Sequence, residues 1–208
     1  MSSASGVHRA REPHLTPIDR LDEVDDQALV VLVGSASWCG PCQTYKPQVA
    51  TAASLISGVF FGVFDASTSD LADKFKVTML PTTLVLARNG KTGALEQVHA
   101  CKGSGPDKLA EALIELAKVY QSTFAEGARP ASDLVLCVGQ GQPPGLARAL
   151  GILFRGVHVR EEARLRGMEV HLLHEPGGSE VKAAYPAAGL YEALPKLYAL
   201  YFGQPSTA

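Results

Sequence analysis

Long apolar runs are missing from this 208-residue chain. The longest are far too short to span a bilayer as a helix. Charge of one sign is missing as well: 19 Lys and Arg stand against 21 Asp and Glu, for a formal net charge of −2. No basic run and no Lys/Arg stripe interleaved with aromatics is present, so a nucleic-acid surface is not expected. Residues 1–12 lack the apolar core of a secretory signal, and export is not expected. Arg9, Arg11 and the serines echo an organelle transit peptide, but Glu12 follows at once, and a short disordered tail is the expectation. Cysteine is scarce: four residues, two of them three apart, fit a reducing compartment better than a disulfide scaffold.

Those two cysteines lie in Trp38-Cys39-Gly40-Pro41-Cys42, after the apolar run Leu29–Val33 and before a helix-like segment that begins near Gln43. At a helix N-terminus the free backbone N–H groups and the macrodipole favour a thiolate at Cys39. Cys42 falls one turn later on the same face, within reach of a disulfide. Pro41 sits in the first turn, where its missing N–H costs little. The competing readings are two structural cysteines or half of a zinc site, and the latter lacks a second Cys-x-x-Cys or Cys-x-x-His to complete a tetrad.

The pentapeptide resembles the active-site signature of the thioredoxin family in full, and the resemblance extends over about residues 13–121. It implies a thioredoxin fold, an α/β arrangement with a mixed central sheet flanked by helices. It also implies a cis peptide bond between Leu80 and Pro81, facing Cys39. Trp38, Gly40, Pro41, Leu80, Pro81 and Gly103 would then line a shallow apolar substrate groove.

Three places depart from the family pattern. Val33 stands where a buried Asp is usual, Gly34-Ser35 replaces an aromatic pair, and Phe61 stands where a Lys accompanies that Asp. Replacing both members of a buried charged pair by apolar side chains can be neutral for stability. It also removes the carboxylate that would take the proton from Cys42.

Taken in order, His14–Thr16 reads as an edge strand leading into a helix over Pro17–Asp25 capped by Thr16. Leu29–Val33 reads as a strand buried on both faces. A helix over Gln43–Ser57 is expected to kink at Pro47. A strand over Val59–Asp65, a short helix over Asp70–Phe75 and a hairpin of Thr83–Ala87 with Leu95–Cys101, turning at Asn89-Gly90, follow. A helix from Pro106 to Tyr120 presents Leu109, Leu113, Leu116 and Tyr120 on one face.

Residues 122–132 read as a linker, and 133–208 as a smaller, non-catalytic α/β unit. That unit repeats the earlier order in shortened form: strand Leu134–Val138, helix Gly145–Phe154, strand Val157–Val159 and helix Glu161–Arg166. A hairpin of Met168–His174 with Glu180–Tyr185, turning over Pro176–Ser179, and a helix Gly189–Phe202 bent at Pro195 complete it. It is either a degenerate second thioredoxin-like unit or an accessory extension packed on the first. Gly139-x-Gly141 with Gly145 has the wrong spacing for a dinucleotide fingerprint. His171 and His174, three apart in a strand, point to opposite faces and are poor joint ligands. Cys137 reads as a small core residue, and Cys101 as an inert buried thiol or a redox-sensitive accessory one.

The resemblance implies a protein-disulfide reductase working by dithiol–disulfide exchange in cell redox homeostasis and electron transfer. Cys39 is the nucleophile and Cys42 the resolving thiol. The implied partners are disulfide-containing proteins and a thioredoxin reductase or equivalent donor. No metal, no cofactor beyond the Cys39–Cys42 disulfide, and no nucleic-acid or membrane partner is expected. The expected compartment is the cytoplasm, with mitochondrion or plastid as alternatives. The other reading is a thioredoxin-fold binding or assembly module whose C-terminal unit anchors a partner protein.

Overall fold

The computed structural model describes residues 13–124, 134–154, 156–173 and 181–202. The expected tail (1–12), most of the expected linker and the Pro176–Ser179 turn lie outside them, as does His174. The first sheet holds β1 (Thr16–Pro17), β2 (Leu29–Ser35), β3 (Phe60–Asp65), β4 (Thr82–Arg88) and β5 (Leu95–Lys102), in the order β1-β3-β2-β4-β5. β2 runs parallel to β3 and antiparallel to β4. Every residue of β2 is buried, and alternation sends its two faces into different cores. Leu29, Val31 and Val33 face α1 (Gly40–Ser54) and α3 (Pro106–Thr123); Val30 and Leu32 pack with Ile18, Val24, Phe64 and Leu71 near α2 (Leu71–Lys74).

Two expectations for this half need correction. The helix over Pro17–Asp25 is only a 3₁₀ turn, Leu21–Val24. Thr16 and Pro17 are claimed by pairing with Gly62 and Val63, and Glu23 instead accepts the Arg20 backbone N–H at 2.8 Å. The hairpin turn is wider than Asn89-Gly90 and runs over residues 90–92. Asn89 Oδ1 accepts the Lys91 N–H at 2.9 Å, and Gly93, at φ +71°, supplies the left-handed residue that closes the loop.

The second sheet has the order β7-β6-β8-β9, built from β6 (Leu134–Gln140), β7 (His158–Arg166), β8 (Met168–Leu173) and β9 (Val181–Ala187). β6 is parallel to β7 and antiparallel to β8, the relation of β2 to β3 and β4. The expected helix over Glu161–Arg166 is strand: pairing with β6 overrides the helical preference of its Glu and Arg residues. Among the described residues the second unit thus has no counterpart of α2. α4 (Leu146–Leu153) and α5 (Leu190–Phe202) pack this sheet against α1 and α3 of the first. One apolar cluster runs through the contact, from Val33, Tyr45 and Leu113 to Leu136, Leu150 and Leu194. Tyr201 of α5 is 40% exposed and lies over Gly156. No described helix is long and apolar enough to cross a membrane.

Candidate active site

β2 delivers the chain to α1 through Ala36-Ser37-Trp38-Cys39. Cys39 is the N-cap of α1, with extended backbone; its Sγ accepts the Cys42 backbone N–H at 3.3 Å, and Pro41 occupies the first turn. One of the orphan donors of the helix end therefore points at the sulfur, the electrostatic condition for a stabilised thiolate. The two sulfurs are joined at 2.03 Å with Cα atoms 5.3 Å apart. Cys39 keeps 4% of its surface accessible and Cys42 none. Ala36, Cys42 and Leu80 pack around Cys39.

The Leu80–Pro81 peptide bond is cis. Gly103, in the left-handed region at φ +96°, donates its N–H to the Pro81 carbonyl at 2.8 Å, tying the end of β5 to this loop. Trp38 is 74% exposed and held by its Nε1–H on Ser67 Oγ at 3.3 Å. Gly40 opens onto free space. Met79, 54% exposed beside Leu80, adds an apolar surface that the sequence reading did not single out.

The cores on both faces of β2 are apolar. Val33 is fully buried and Phe61 nearly so, both in the cluster that α1 and α3 cover. The ring of Phe64 fills the space beside Gly34, and the Ser35 hydroxyl is buried with no hydrogen-bond partner among the described residues. Buried polar side chains among the described residues are Ser35, Thr51, Thr82 and Thr83; none is a carboxylate or an amine. A hydroxyl pair missed in the sequence stands nearby: Tyr45, one turn after Cys42, shares a 2.8 Å hydrogen bond with Thr83, the cross-strand partner of Val33. Burial pushes the Tyr45 hydroxyl far above its ordinary pKa, so it stays protonated and is no base.

The family model for thioredoxin matches residues 19–115. Human thioredoxin is 31% identical over 99 residues, 47% of this chain and 88% of that protein. The chain belongs to the thioredoxin family. Mouse thioredoxin domain-containing protein 8 is 37% identical over 82 residues, covering 38% of this chain and 65% of that protein's length. The crystal structure of oxidised mitochondrial thioredoxin 3 from Saccharomyces cerevisiae matches 47% of this chain and 92% of its own, at 27% identity and a TM-score of 0.39. Membership, together with the Cys39–Cys42 disulfide, supports thiol–disulfide redox chemistry at this thioredoxin site.

The remaining sequence candidates resolve individually. Gly139 is needed for packing, since a Cβ there would lie 2.3 Å from the Leu165 carbonyl oxygen. The cleft beside it, about 360 Å³, is lined by Glu161 and Glu162 as well as Pro143 and Pro144, a poor setting for a phosphate. Of the pair His171 and His174, the latter lies outside the described residues; His171 Nε2 meets Glu169 at 2.8 Å and its Nδ1 lies 3.8 Å from Cys137 Sγ. Burial, with Glu162 and Glu169 adding to it, raises the Cys137 thiol pKa, so the group stays a protonated core residue.

Proposed function

We propose that this thioredoxin-family chain is a protein-disulfide reductase. The observation that carries the reading is the placement of Cys39 and Cys42 at the free N-terminus of α1, against Leu80-Pro81 and flanked by exposed Trp38 and Met79. In the reduced enzyme the Cys39 thiolate attacks a substrate sulfur and expels the other substrate sulfur as a thiolate. Cys42, once deprotonated, attacks Cys39 Sγ, closes the enzyme disulfide and releases the second substrate thiol. The substrate gains two electrons and the enzyme dithiol loses them. A thioredoxin reductase or an equivalent donor restores the dithiol, and no cofactor beyond the cysteine pair takes part. Backbone groups near Leu80 receive an extended substrate segment by strand-like pairing, and Trp38, Gly40, Pro41, Pro81 and Gly103 form the rest of the groove. We place the reaction in the cytoplasm and assign residues 133–208 no chemistry of their own.

The test is insulin-disulfide reduction by the full chain with a chemical or enzymatic dithiol donor. The reading requires turnover that vanishes in Cys39→Ser, and accumulation of substrate-linked mixed disulfides in Cys42→Ser but not in Cys39→Ser. Trapping through Cys42 instead would reverse the roles. No turnover in the wild-type chain would favour the second reading, a binding module, which draws on the absence, among the described residues, of a buried carboxylate.

A further inference from the structure

A second cluster of reactive side chains lies away from the disulfide, where the edge strand β5 passes under α3. β5 pairs with β4 in register from both ends, but the register slips between Val85 and Leu86, leaving Val98 as an extra residue. A one-residue slip sends the residues beyond it to the other face. Gln97 lies opposite Leu86, on the α2 side, whereas His99 and Cys101 lie opposite Val85 and Thr83, on the side α3 covers. The bulge thus aims an imidazole and a thiol at the same helix.

Glu111 of α3 meets them there. Its Oε1 lies 3.0 Å from His99 Nε2, and its carboxylate comes within 4.8 Å of the Cys101 sulfur. One nitrogen, one sulfur and one oxygen fall within 4.8 Å of each other, the one such convergence among the described residues. Cys101 forms a floor with 1% exposure, and the side chains of His99 and Glu111, at 29% and 37%, open the cluster to water. A cation between them would be attracted by the carboxylate and, once bound, by a thiolate.

We propose that His99, Cys101 and Glu111 bind a thiolate-preferring divalent cation of the zinc or cobalt type. Tetrahedral ligation places such ligand atoms roughly 3.3–3.6 Å apart, so the cluster needs to close by about an ångström. Hard cations such as magnesium and calcium, which take oxygen ligands, do not fit this donor set. Three protein ligands leave the fourth position to solvent. On binding, the Cys101 proton passes to bulk water and sulfur binds as thiolate. Lys108 Nζ, 2.8 Å from Glu111 Oε2, must give up that oxygen or share it.

The experiment uses the full chain without a histidine tag, with the Cys39–Cys42 disulfide closed so that the dithiol cannot take metal. Cobalt(II) is titrated while the thiolate-to-cobalt charge-transfer absorption is followed, and zinc affinity is read by competition with a chromophoric chelator. One cation per chain with a charge-transfer band is expected. Cys101→Ser should abolish the band. His99→Ala, on an exposed edge strand and safe for folding, should weaken zinc by more than the roughly 10- to 100-fold that loss of a ligand's outer hydrogen-bond partner costs. Cys137→Ser should change neither. Absence of stoichiometric binding, unchanged affinity in His99→Ala, or a band that disappears with Cys137 rather than Cys101 would overturn the assignment.

Discussion

Leu150 of α4 offers the sharpest test of how the two sheets depend on each other. It exposes none of its surface and sits in the cluster that also holds Val33, Tyr45, Leu113 and Leu116 of the first sheet. Leu150→Ala removes buried methyl groups and leaves a cavity that packed helices on both sides cannot close, at a cost of about 2–5 kcal/mol. Against a total stability of about 5–15 kcal/mol that is a large fraction. With a urea slope of about 2–3 kcal/mol per molar, it lowers the midpoint by roughly 1 M or more. Trp38 is the chain's single tryptophan and reports on the first sheet alone, while far-UV ellipticity reports on both. If one core serves both sheets, the Trp38 fluorescence and the ellipticity midpoints fall together, although the mutation lies in the other unit. Leu84→Ala, on the far face of the first sheet, should also move both. A Trp38 midpoint that ignores Leu150→Ala, with ellipticity splitting into two transitions, would refute the shared core.

Three other outcomes are expected. Val33→Asp should speed the resolution of mixed disulfides near neutral pH, since a carboxylate under the site can accept the Cys42 proton. It should also destabilise the chain by about 1–3 kcal/mol or more, and unchanged resolution from about pH 6 to 9 would show that another base serves. Gly139→Ala drives a Cβ into the Leu165 carbonyl and should lower the melting temperature sharply, with an unchanged melting curve refuting the close approach. Burial, with Glu111 behind it, pushes the Cys101 thiol up to about 12. Between about pH 8.5, where the unfolded thiol ionises, and 12, the folded chain keeps a proton that the unfolded chain has lost, so stability falls as pH rises. Cys101→Ala should flatten that fall by up to about 1.4 kcal/mol per pH unit, read from urea midpoints across alkaline pH.

The dithiol was legible in the sequence because its signal is local: an apolar run, two cysteines at one-turn spacing and a first-turn proline need no tertiary information. The cis Leu80–Pro81 bond was legible only through the family resemblance, since isolated residues before proline are mostly trans. What escaped was set by contacts between distant segments. The Glu161–Arg166 stretch has helical composition and becomes strand only because β6 offers an edge. The Val98 bulge, which decides where His99 and Cys101 point, depends on β4 and leaves no mark in the composition of β5. Nothing local marks Tyr45, and only the pairing of β2 with β4 brings Thr83 to its hydroxyl.

The two units also meet in a way that explains why the second one carries no dithiol yet stays attached. Matching β2, α1, β3, β4, β5 and α3 to β6, α4, β7, β8, β9 and α5 preserves every parallel and antiparallel neighbour. Under that matching the contact of α3 with α4 and the contact of α1 with α5 are images of each other. The bridge between Ile56, after α1, and Phe154, after α4, joins equivalent ends. This is the self-complementary arrangement of a two-fold dimer, here within one chain. The second unit keeps the helical face that makes the contact and gives up the features around the dithiol. Where Pro81 precedes β4, Gly167 precedes β8, and a Cβ at Gly167 would lie 2.7 Å from the Ala187 carbonyl oxygen. Where the cysteines enter α1, a Gly-Gln-Pro-Pro-Gly loop enters α4. Through α5 the second unit covers α1, the helix whose N-terminus holds Cys39 and Cys42, so removing that unit strips water-excluding cover from the element that carries the chemistry.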